Sequence, residues 1–233
     1  MKTYKLLLLA FFTLNLFSQE KEHDNGSNNF SYSSFGLHAF NGTNSGIEAK
    51  FLLSLPGPLY LAAEAKADGI DVDTQEYDKF IKAVRIGAHV GIGDFLNSVS
   101  VGDVSLKIEN FMDVFIELGI KSTSIENQLN FSESDTQANV ITGLRFGDSN
   151  GWEGKIYVDF SKETEVVQQK CPENLICTAF DTAQVSYLLD DETDQKFGFV
   201  ATYNVNKRSA LVIETSSSKV IDNVFKIGYR LNF

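Results

Sequence analysis

The last nine residues of the chain, 225–233, alternate between apolar and polar side chains without interruption. Every second position is apolar, and that set is Phe225, Ile227, Tyr229, Leu231 and Phe233. The positions between them are polar or small, and that set is Lys226, Gly228, Arg230 and Asn232. Successive side chains of a β-strand point to opposite faces, so this period of two predicts a strand with one apolar and one polar face.

The same period of two recurs along most of the chain and predicts ten strands. They span 30–40, 46–55, 59–67, 79–92, 114–125, 137–147, 152–162, 181–189, 195–206 and 223–233. Most are about 9 to 13 residues long, which is enough for a tilted strand to cross a bilayer. No run of 18 apolar residues occurs outside the amino-terminal segment, so a membrane crossing would have to use strands.

The connections between these strands are predicted to alternate in length. Tight turns are expected at 56–58, 147–151 and 190–194. The long loops are expected at 68–78, 126–136, 163–180 and 207–222. Short periplasmic turns and long external loops are typical of outer-membrane barrels, and ten crossings return Phe233 to the periplasmic rim.

The segment 93–113 breaks this alternation, because it is long where a short turn is expected. From Val104 onward, apolar residues occupy the same alternate positions as in the fifth strand. The fifth strand is therefore expected to begin near Val104 and to protrude below the membrane. The alternative is an additional hairpin at 98–108, which would raise the count to twelve strands. Eight strands are the remaining alternative.

Charge decides which face of the predicted strands meets lipid. The charged and histidine side chains of the strands share the face opposite to the apolar one. They are Glu48, Lys50, Glu64, Lys66, Arg85, His89, Glu117, Lys121, Arg145, Glu153, Lys155, Asp159, Lys226 and Arg230. A Lys or Arg that faces lipid at the bilayer midplane costs about 2–4 kcal/mol. We therefore expect these residues to line the lumen as a network of mixed sign.

Alternation alone does not distinguish a membrane barrel from a soluble barrel whose apolar face points inward. The loop asymmetry, the terminal Phe233 and aromatic residues near the strand ends, such as Phe146 and Trp152, favour the membrane barrel. The predicted fold is all-β, an antiparallel up-and-down transmembrane β-barrel of about ten strands.

The first 18 residues have the pattern of a secretory signal peptide. Lys2 and Lys5 precede an apolar run at 6–17, and Ser18 is a small residue at the expected cleavage position. The apolar run is shorter than the roughly 20 residues of a transmembrane helix. We predict a signal peptide at 1–18, a flexible lead-in at 19–29 and the barrel at 30–233.

The formal net charge of the chain is −11, and loss of Lys2 and Lys5 with the signal peptide makes the mature chain more acidic. Such a charge argues against a nucleic-acid partner. No cofactor motif is evident, so no cofactor is predicted.

Two histidines on the lumen face, His38 and His89, are the candidates for catalysis. A barrel hydrolase needs a base beside a nucleophile, and Thr43 and Ser45 follow His38 closely. The sequence places no carboxylate to orient His38, so both histidines are interpreted as polar lumen residues and no catalytic residue is predicted.

The predicted loop 68–78 is strongly acidic, with Asp68, Asp71, Asp73, Glu76 and Asp78. Oxygen-rich loops can bind Ca²⁺, but this spacing does not match the D-x-D-x-D-G pattern. We expect a solvated or lipopolysaccharide-bridging loop and predict no metal site.

Cys171 and Cys177 are the only two cysteines and fall in the longest predicted external loop. An exported chain passes an oxidising compartment, so a disulfide between them is expected. Such a small ring contributes about 2–3 kcal/mol in the chain-entropy model.

The signal-peptide pattern, the amphipathic strands and the aromatic closing strand resemble the small single-domain outer-membrane β-barrel proteins of the porin-like or OmpA-barrel type, particularly those of Bacteroidota. The resemblance implies a location in the outer membrane of a Gram-negative bacterium, in contact with its lipid and lipopolysaccharide. It also implies that the barrel-assembly machinery reads the apolar set from Phe225 to Phe233 as an insertion signal. No peptidoglycan-binding domain is expected after the barrel.

These motifs are architectural, so they specify a structure more than a reaction. The expected function is that of a non-enzymatic barrel with a structural or surface-interaction role. A narrow channel for small solutes is the alternative, and a lipid- or peptide-processing barrel enzyme is the third possibility. The surface or solute ligand is not predicted.

Overall fold

The structure is a computed structural model that describes residues 30–42, 44–72, 75–92, 112–127, 132–148, 150–161, 164–168, 185–189, 195–218 and 223–233. No helix within this part of the chain combines the length and the apolar character needed to cross a membrane. The described residues form twelve strands. They are β1 (Ser34–Asn41), β2 (Ser45–Ser54), β3 (Leu59–Val72), β4 (Gln75–Gly91), β5 (Met112–Asn127), β6 (Ser132–Gly147), β7 (Trp152–Asp159), β8 (Thr164–Gln168), β9 (Val185–Leu189), β10 (Lys196–Asn206), β11 (Ser209–Ser217) and β12 (Val224–Asn232).

Ten of these strands close into an antiparallel barrel, which confirms the predicted fold class. The order around the barrel follows the chain from β1 to β7 and then from β10 to β12, and β12 pairs with β1 to close the circle. We call the rim where Ser34 pairs with Asn232 the terminal rim, and the opposite rim, where Asn41 pairs with Phe225, the far rim.

The predicted eighth strand at 181–189 is wrong as a barrel strand. Residues 185–189 form β9, which pairs with β8 in a separate two-stranded sheet. In the barrel, β7 pairs directly with β10, and Trp152 lies opposite Tyr203. The tight turn predicted at 190–194 lies outside the described residues.

The long loop predicted at 207–222 is also wrong. Lys207 and Arg208 alone form a turn at the terminal rim, and the chain then enters the barrel again as β11. Four consecutive apolar residues at 210–213 obscured the period of two in this strand. The barrel nevertheless has ten strands, because β11 takes the place of the strand predicted at 181–189.

Two further predicted loops, 68–78 and 126–136, are largely strand. The β3–β4 hairpin pairs as far as Val72 and Gln75, and the β5–β6 hairpin as far as Glu126 and Ser132. These ends extend beyond the neighbouring strands at the far rim, and we call them the raised sheet, residues 69–72, 75–78, 122–127 and 132–139. Among residues 122–126 and 134–139 of this sheet, polar side chains lie on both faces, so the alternation of an apolar and a polar face is absent there.

The start of β5 is described only from Met112, so the prediction of a start near Val104 lies outside the described residues, as does the alternative hairpin at 98–108. The first strand begins at Ser34, four positions later than predicted. Residues 30–32 leave the barrel wall before β1, whereas the carbonyl of Ser33 still accepts a hydrogen bond from the Phe233 amide at 3.1 Å.

The alternation has the predicted sense, with apolar side chains outside the barrel and charges inside. On β5, the four apolar side chains at 114, 116, 118 and 120 are 44 to 59% exposed, whereas Phe115 and Glu117 between them are each 3% exposed. Because successive residues point to opposite faces, the exposed set must cover the outer surface and the buried set the lumen.

Two glycines give inward tyrosines room to lie against the barrel wall. Gly87 lies opposite Tyr60, and Gly198 lies opposite Tyr157. A Cβ at either glycine would meet the tyrosine ring. The two rings therefore lie flat on the wall and leave space at the centre of the lumen.

Candidate functional site in the barrel lumen

The structure places every predicted lumen residue on the inward face of its strand. Nine of them form three groups, and each group contains both signs of charge. Because a buried charge is costly unless it is paired, the arrangement of these partners determines how much of the lumen is closed.

The first group is a ring of four charges with alternating sign. The ammonium of Lys50 lies 3.0 Å from Glu48 and 2.7 Å from Glu214, and that of Lys226 lies 2.7 Å from Glu48 and 3.0 Å from Glu214. Glu214 was missed by the sequence interpretation because β11 was predicted as a loop. These ion pairs connect β2 with β11 and β12, which lie on the other side of β1. They therefore stabilise the part of the wall where the barrel closes.

The second group is centred on Arg85. Its Nε donates to Glu117 at 2.7 Å, and its two terminal nitrogens donate to Asn139 at 2.7 Å and to Glu64 at 3.0 Å. Tyr60 donates its hydroxyl to the other oxygen of Glu117 at 2.9 Å. One arginine therefore neutralises two carboxylates from different strands, and Tyr60 and Asn139 are partners that the charge pattern alone did not reveal.

The third group surrounds Glu153 near the terminal rim. The Glu153 carboxylate accepts hydrogen bonds from Arg145 at 2.6 Å, from Arg230 at 3.0 Å and from the Asn204 amide at 2.8 Å. Arg145 also donates to the backbone carbonyl of Ser31 at 2.8 Å. That bond links the barrel wall to the segment that precedes β1.

Residues 30–32 turn into the lumen at the terminal rim, and we call them the amino-terminal stopper. Phe30 and Tyr32 are 5% and 7% exposed. The Tyr32 ring stacks on His89 with 3.9 Å between centroids, and its hydroxyl donates to Asp113 at 3.0 Å. The Arg145 guanidinium carbon lies 4.9 Å from the Phe30 ring centroid and 5.1 Å from that of Tyr32. The stopper therefore places two aromatic rings in this mouth of the barrel.

The two lumen histidines each face a carboxylate. His38 Nδ1 lies 3.7 Å from Glu48, and His89 Nδ1 lies 3.4 Å from Asp113. Ser45 is exposed and its parity on β2 is opposite to that of Glu48, so it points away from His38. Thr43 lies outside the described residues. The described geometry therefore brings a carboxylate to each histidine, and it turns Ser45 away from His38.

Two cavities lie in series along the lumen. The larger has a volume of about 150 Å³ and the smaller a volume of about 50 Å³. Both are lined in part by the same side chains, namely Glu64, Arg85, Asp159, Lys196 and Lys226.

The larger cavity has an apolar wall that the sequence interpretation did not anticipate. Phe115, Ile141 and Tyr157 form a buried cluster, and Val200 packs against it. The Lys155 ammonium lies over the Phe115 ring, 4.3 Å from its centroid. The lumen is therefore not a purely ionic network, because aromatic and aliphatic surface faces the charged groups across an open space.

The remaining predicted sites are only partly described. Cys171 and Cys177 lie outside the described residues. Asp68 points inward, 3.7 Å from the Lys66 ammonium, whereas Asp78 is exposed. The predicted insertion signal forms the outward face of β12, and the Phe233 ring stacks on Phe51 with 6.0 Å between centroids. Its role as a signal stays a prediction.

No protein-family model and no curated protein matches the chain. The solved structures that are similar to it include three porin structures, each matched over 86% of this chain and 99% of its own. The KdgM porin in complex with disordered oligogalacturonate shares 4% identity at a TM-score of 0.38, and the KdgM porin alone shares 5% at 0.39. The NanC porin in a rhombohedral crystal form shares 9% at 0.36. At these sequence identities and TM-scores, the similarity supports no conclusion beyond the barrel topology.

Proposed function

We propose that the chain is a non-enzymatic outer-membrane barrel that gives small solutes a narrow path through its lumen, closed at rest. The observation that carries this proposal is the pair of cavities in series, which share lining side chains and lie between the amino-terminal stopper and the far rim. A barrel of about eight strands is just filled by its own side chains, so ten strands leave limited room.

The outer surface supports the membrane location. Large apolar side chains such as Ile47, Ile86 and Ile227 are more than half exposed. Contiguous apolar surface of this kind is rare on soluble monomers, whereas a lipid-facing barrel requires it. Trp152 and Tyr203 form a contacting aromatic pair near the terminal rim, with 4.8 Å between ring centroids, as expected of an interfacial girdle.

The side-chain network supports a path that is closed at rest. Ion pairs of 2.7 and 3.0 Å join strands that are not neighbours in the barrel, namely Lys50 on β2 with Glu214 on β11 and Arg230 on β12 with Glu153 on β7. Charges that are paired in a confined interior hold each other in place, because moving one leaves the other without compensation. Solutes can pass only where these side chains and the stopper move aside.

A structural or surface-interaction role is the second candidate. The raised sheet favours it, because this extension of β3–β6 stands beyond the barrel at the far rim. A passive scaffold needs no continuous lumen path, so the two candidates differ in what they predict for solute flux.

We expect intact protein in planar bilayers to show little or no steady conductance. Replacing Phe30 and Tyr32 together by alanine should remove the stopper and produce frequent openings, because the terminal mouth then loses its two aromatic rings. Phe35→Ala is the matched control, since Phe35 lies on the outward side of β1 near the same rim.

Large, stable currents from intact protein that the double substitution leaves unchanged would contradict closure by the stopper. A double variant that inserts normally but remains as silent as the control would overturn the solute path. That second result would support the structural role.

We also expect Cys171 and Cys177 to be outside the cell and joined as a disulfide. The connection between β7 and β10 leaves the far rim, and the proposal assigns that rim to the cell exterior. A membrane-impermeant thiol reagent should label intact cells only after mild reduction. Arg208→Cys in a chain with both native cysteines replaced by serine is the control, because Arg208 lies in the turn at the terminal rim and should stay unlabelled.

Labelling without reductant would rule out the disulfide. Labelling of the Arg208→Cys control, together with none at the native cysteines after reduction, would reverse the proposed orientation.

A further inference from the structure

Lys155 is the cation of the larger cavity with the weakest pairing. Its Nζ lies 3.9 Å from Glu117 Oε1, beyond hydrogen-bond distance. Glu117 already accepts from Arg85 at 2.7 Å and from the Tyr60 hydroxyl at 2.9 Å. Lys50, in the same cavity, has carboxylate oxygens at 2.7 and 3.0 Å. The ammonium of Lys155 therefore keeps hydrogen-bonding capacity that the described carboxylates do not use.

The register of β7 directs Lys155 into the cavity. Lys155 lies between the inward residues Glu153 and Tyr157, and it is opposite Arg145 on β6 and Val200 on β10. Its side chain keeps 32% of its accessible surface. Because the strand turns this side chain inward, that surface faces the lumen, where Nζ lies 4.3 Å from the Phe115 ring centroid and 5.5 Å from that of Tyr157.

The cavity provides space and apolar contact beside this ammonium. Its volume of about 150 Å³ matches the size of cavity that holds a benzene ring. Phe115, Ile141, Tyr157 and Val200 all line it. Aromatic side chains offer flat surfaces on which a ring can stack or pack edge to face.

The charge around the cavity favours an anion. Among the described lining residues, cations outnumber carboxylates. The cations are Lys50, Arg85, Arg145, Lys155, Lys196, Lys226 and Arg230. The carboxylates are Glu64, Glu117, Glu153, Asp159 and Glu214. Glu48 also pairs with Lys50 and Lys226, so the seven cations exceed the carboxylates by one. An anionic group that enters near Lys155 therefore meets a small surplus of positive charge in a partly desolvated space.

We propose that the larger cavity binds a small monocarboxylate with a compact apolar ring. The carboxylate accepts a charge-assisted hydrogen bond from Lys155 Nζ, and the ring packs against Phe115 and Tyr157. This inference rests on the proposed function, because the solute must enter the lumen to reach the site.

Benzoate, benzyl alcohol and benzylamine test the proposal, since the three probes share a ring and differ in charge. Calorimetric titration of the barrel in lipid nanodiscs, corrected with empty nanodiscs, should show saturable binding of benzoate and weaker binding of the other two. Lys155→Met should weaken benzoate binding about tenfold or more, because it removes the charged donor at similar length. Lys155→Arg should retain the binding.

Lys82→Met is the matched control, because Lys82 is exposed and points outward on β4. It should leave benzoate binding unchanged. The proposal is overturned if intact protein binds benzoate no better than benzyl alcohol, or if Lys155→Met folds and binds benzoate as tightly as the intact chain. The comparison of probes on intact protein remains decisive even if Lys155→Met fails to fold.

Solute flux separates this inference from the proposed function. Liposomes that carry the stopper variant should swell in glycerol if the path exists, whatever the state of Lys155. Benzoate binding without any glycerol flux would support the binding site and contradict the channel function. Glycerol flux without selective benzoate binding would support the channel function and contradict the binding site.

Discussion

Replacing Arg85 by alanine is expected to destabilise the barrel by about 3–5 kcal/mol, the cost of removing one partner from a buried ion pair. Arg85 is buried and donates to Glu117, Glu64 and Asn139 at 2.7 to 3.0 Å. Its loss leaves two carboxylates in the lumen without their nearest cation. Urea unfolding in lipid vesicles, followed by the fluorescence of the single tryptophan, Trp152, measures the change.

Two variants show whether the loss comes from unpaired charge. Lys82→Ala removes an exposed charge from the opposite face of the same strand and should change the free energy of unfolding by no more than about 0.5 kcal/mol. Arg85→Met combined with Glu64→Gln and Glu117→Gln removes the charges together and should recover part of the stability. An Arg85→Ala barrel as stable as Lys82→Ala would show that water already reaches these carboxylates and that the lumen is open.

Gly119→Val is expected to prevent normal closure of the wall between β4 and β5. Gly119 lies opposite Arg85, and a Cβ at this position would meet the backbone carbonyl of Val84. Backbone atoms in a paired strand cannot move aside as a side-chain end can, so the cost should reach or exceed the upper part of the usual overpacking range, about 3 kcal/mol. Heat-modifiable gel mobility after refolding measures the folded fraction.

Gly69→Val is the matched control for this substitution. Gly69 lies on β3 in the raised sheet, and nothing lies within 4 Å of a Cβ placed there. The control should fold like the intact chain. Equal folding of Gly119→Val and Gly69→Val would mean that the β4 and β5 backbones are farther apart than the structure shows.

The membrane-crossing part of the fold could be predicted because lipid imposes a strict rule on each strand. Lys226 and Arg230 cannot face lipid cheaply, so they fix the parity of β12. Lys82 shows where this rule ends, because it points outward on β4 opposite Ser122 of the raised sheet. Above the bilayer this rule no longer applies. In the raised sheet, Ser122 and Thr136 face outward into water, so strands there lack the alternation and were interpreted as loops.

The strand β11 shows a different limit of prediction from sequence periodicity. Leu211, Val212 and Ile213 are consecutive apolar residues, although Val212 points into the lumen and its neighbours point outward. An aliphatic side chain is acceptable on the inward face because the lumen contains apolar clusters as well as charges. The prediction from periodicity assumed that the inner face of each strand is polar. It therefore missed β11, whose inner face is partly apolar, and with it Glu214.

The partners within the lumen could not be predicted because they depend on distances across the barrel. Arg145 and the backbone carbonyl of Ser31 are 114 positions apart in the sequence, and Lys226 and Glu48 are 178 apart. The stopper is the clearest case. Phe30 and Tyr32 continue the alternation of β1 and were assigned to that strand, yet they leave the wall and enter the terminal mouth.

The central claim is that the apolar face of the strands meets lipid and the charged face lines the lumen. Spin labels at single cysteines along 114–121 of β5, in a chain without the native cysteines, test it most directly in lipid vesicles. The account predicts high accessibility to oxygen at Ile116, Leu118 and Ile120 and low accessibility at Phe115, Glu117 and Lys121. Equal oxygen accessibility at odd and even positions, or the reverse alternation, would contradict the account.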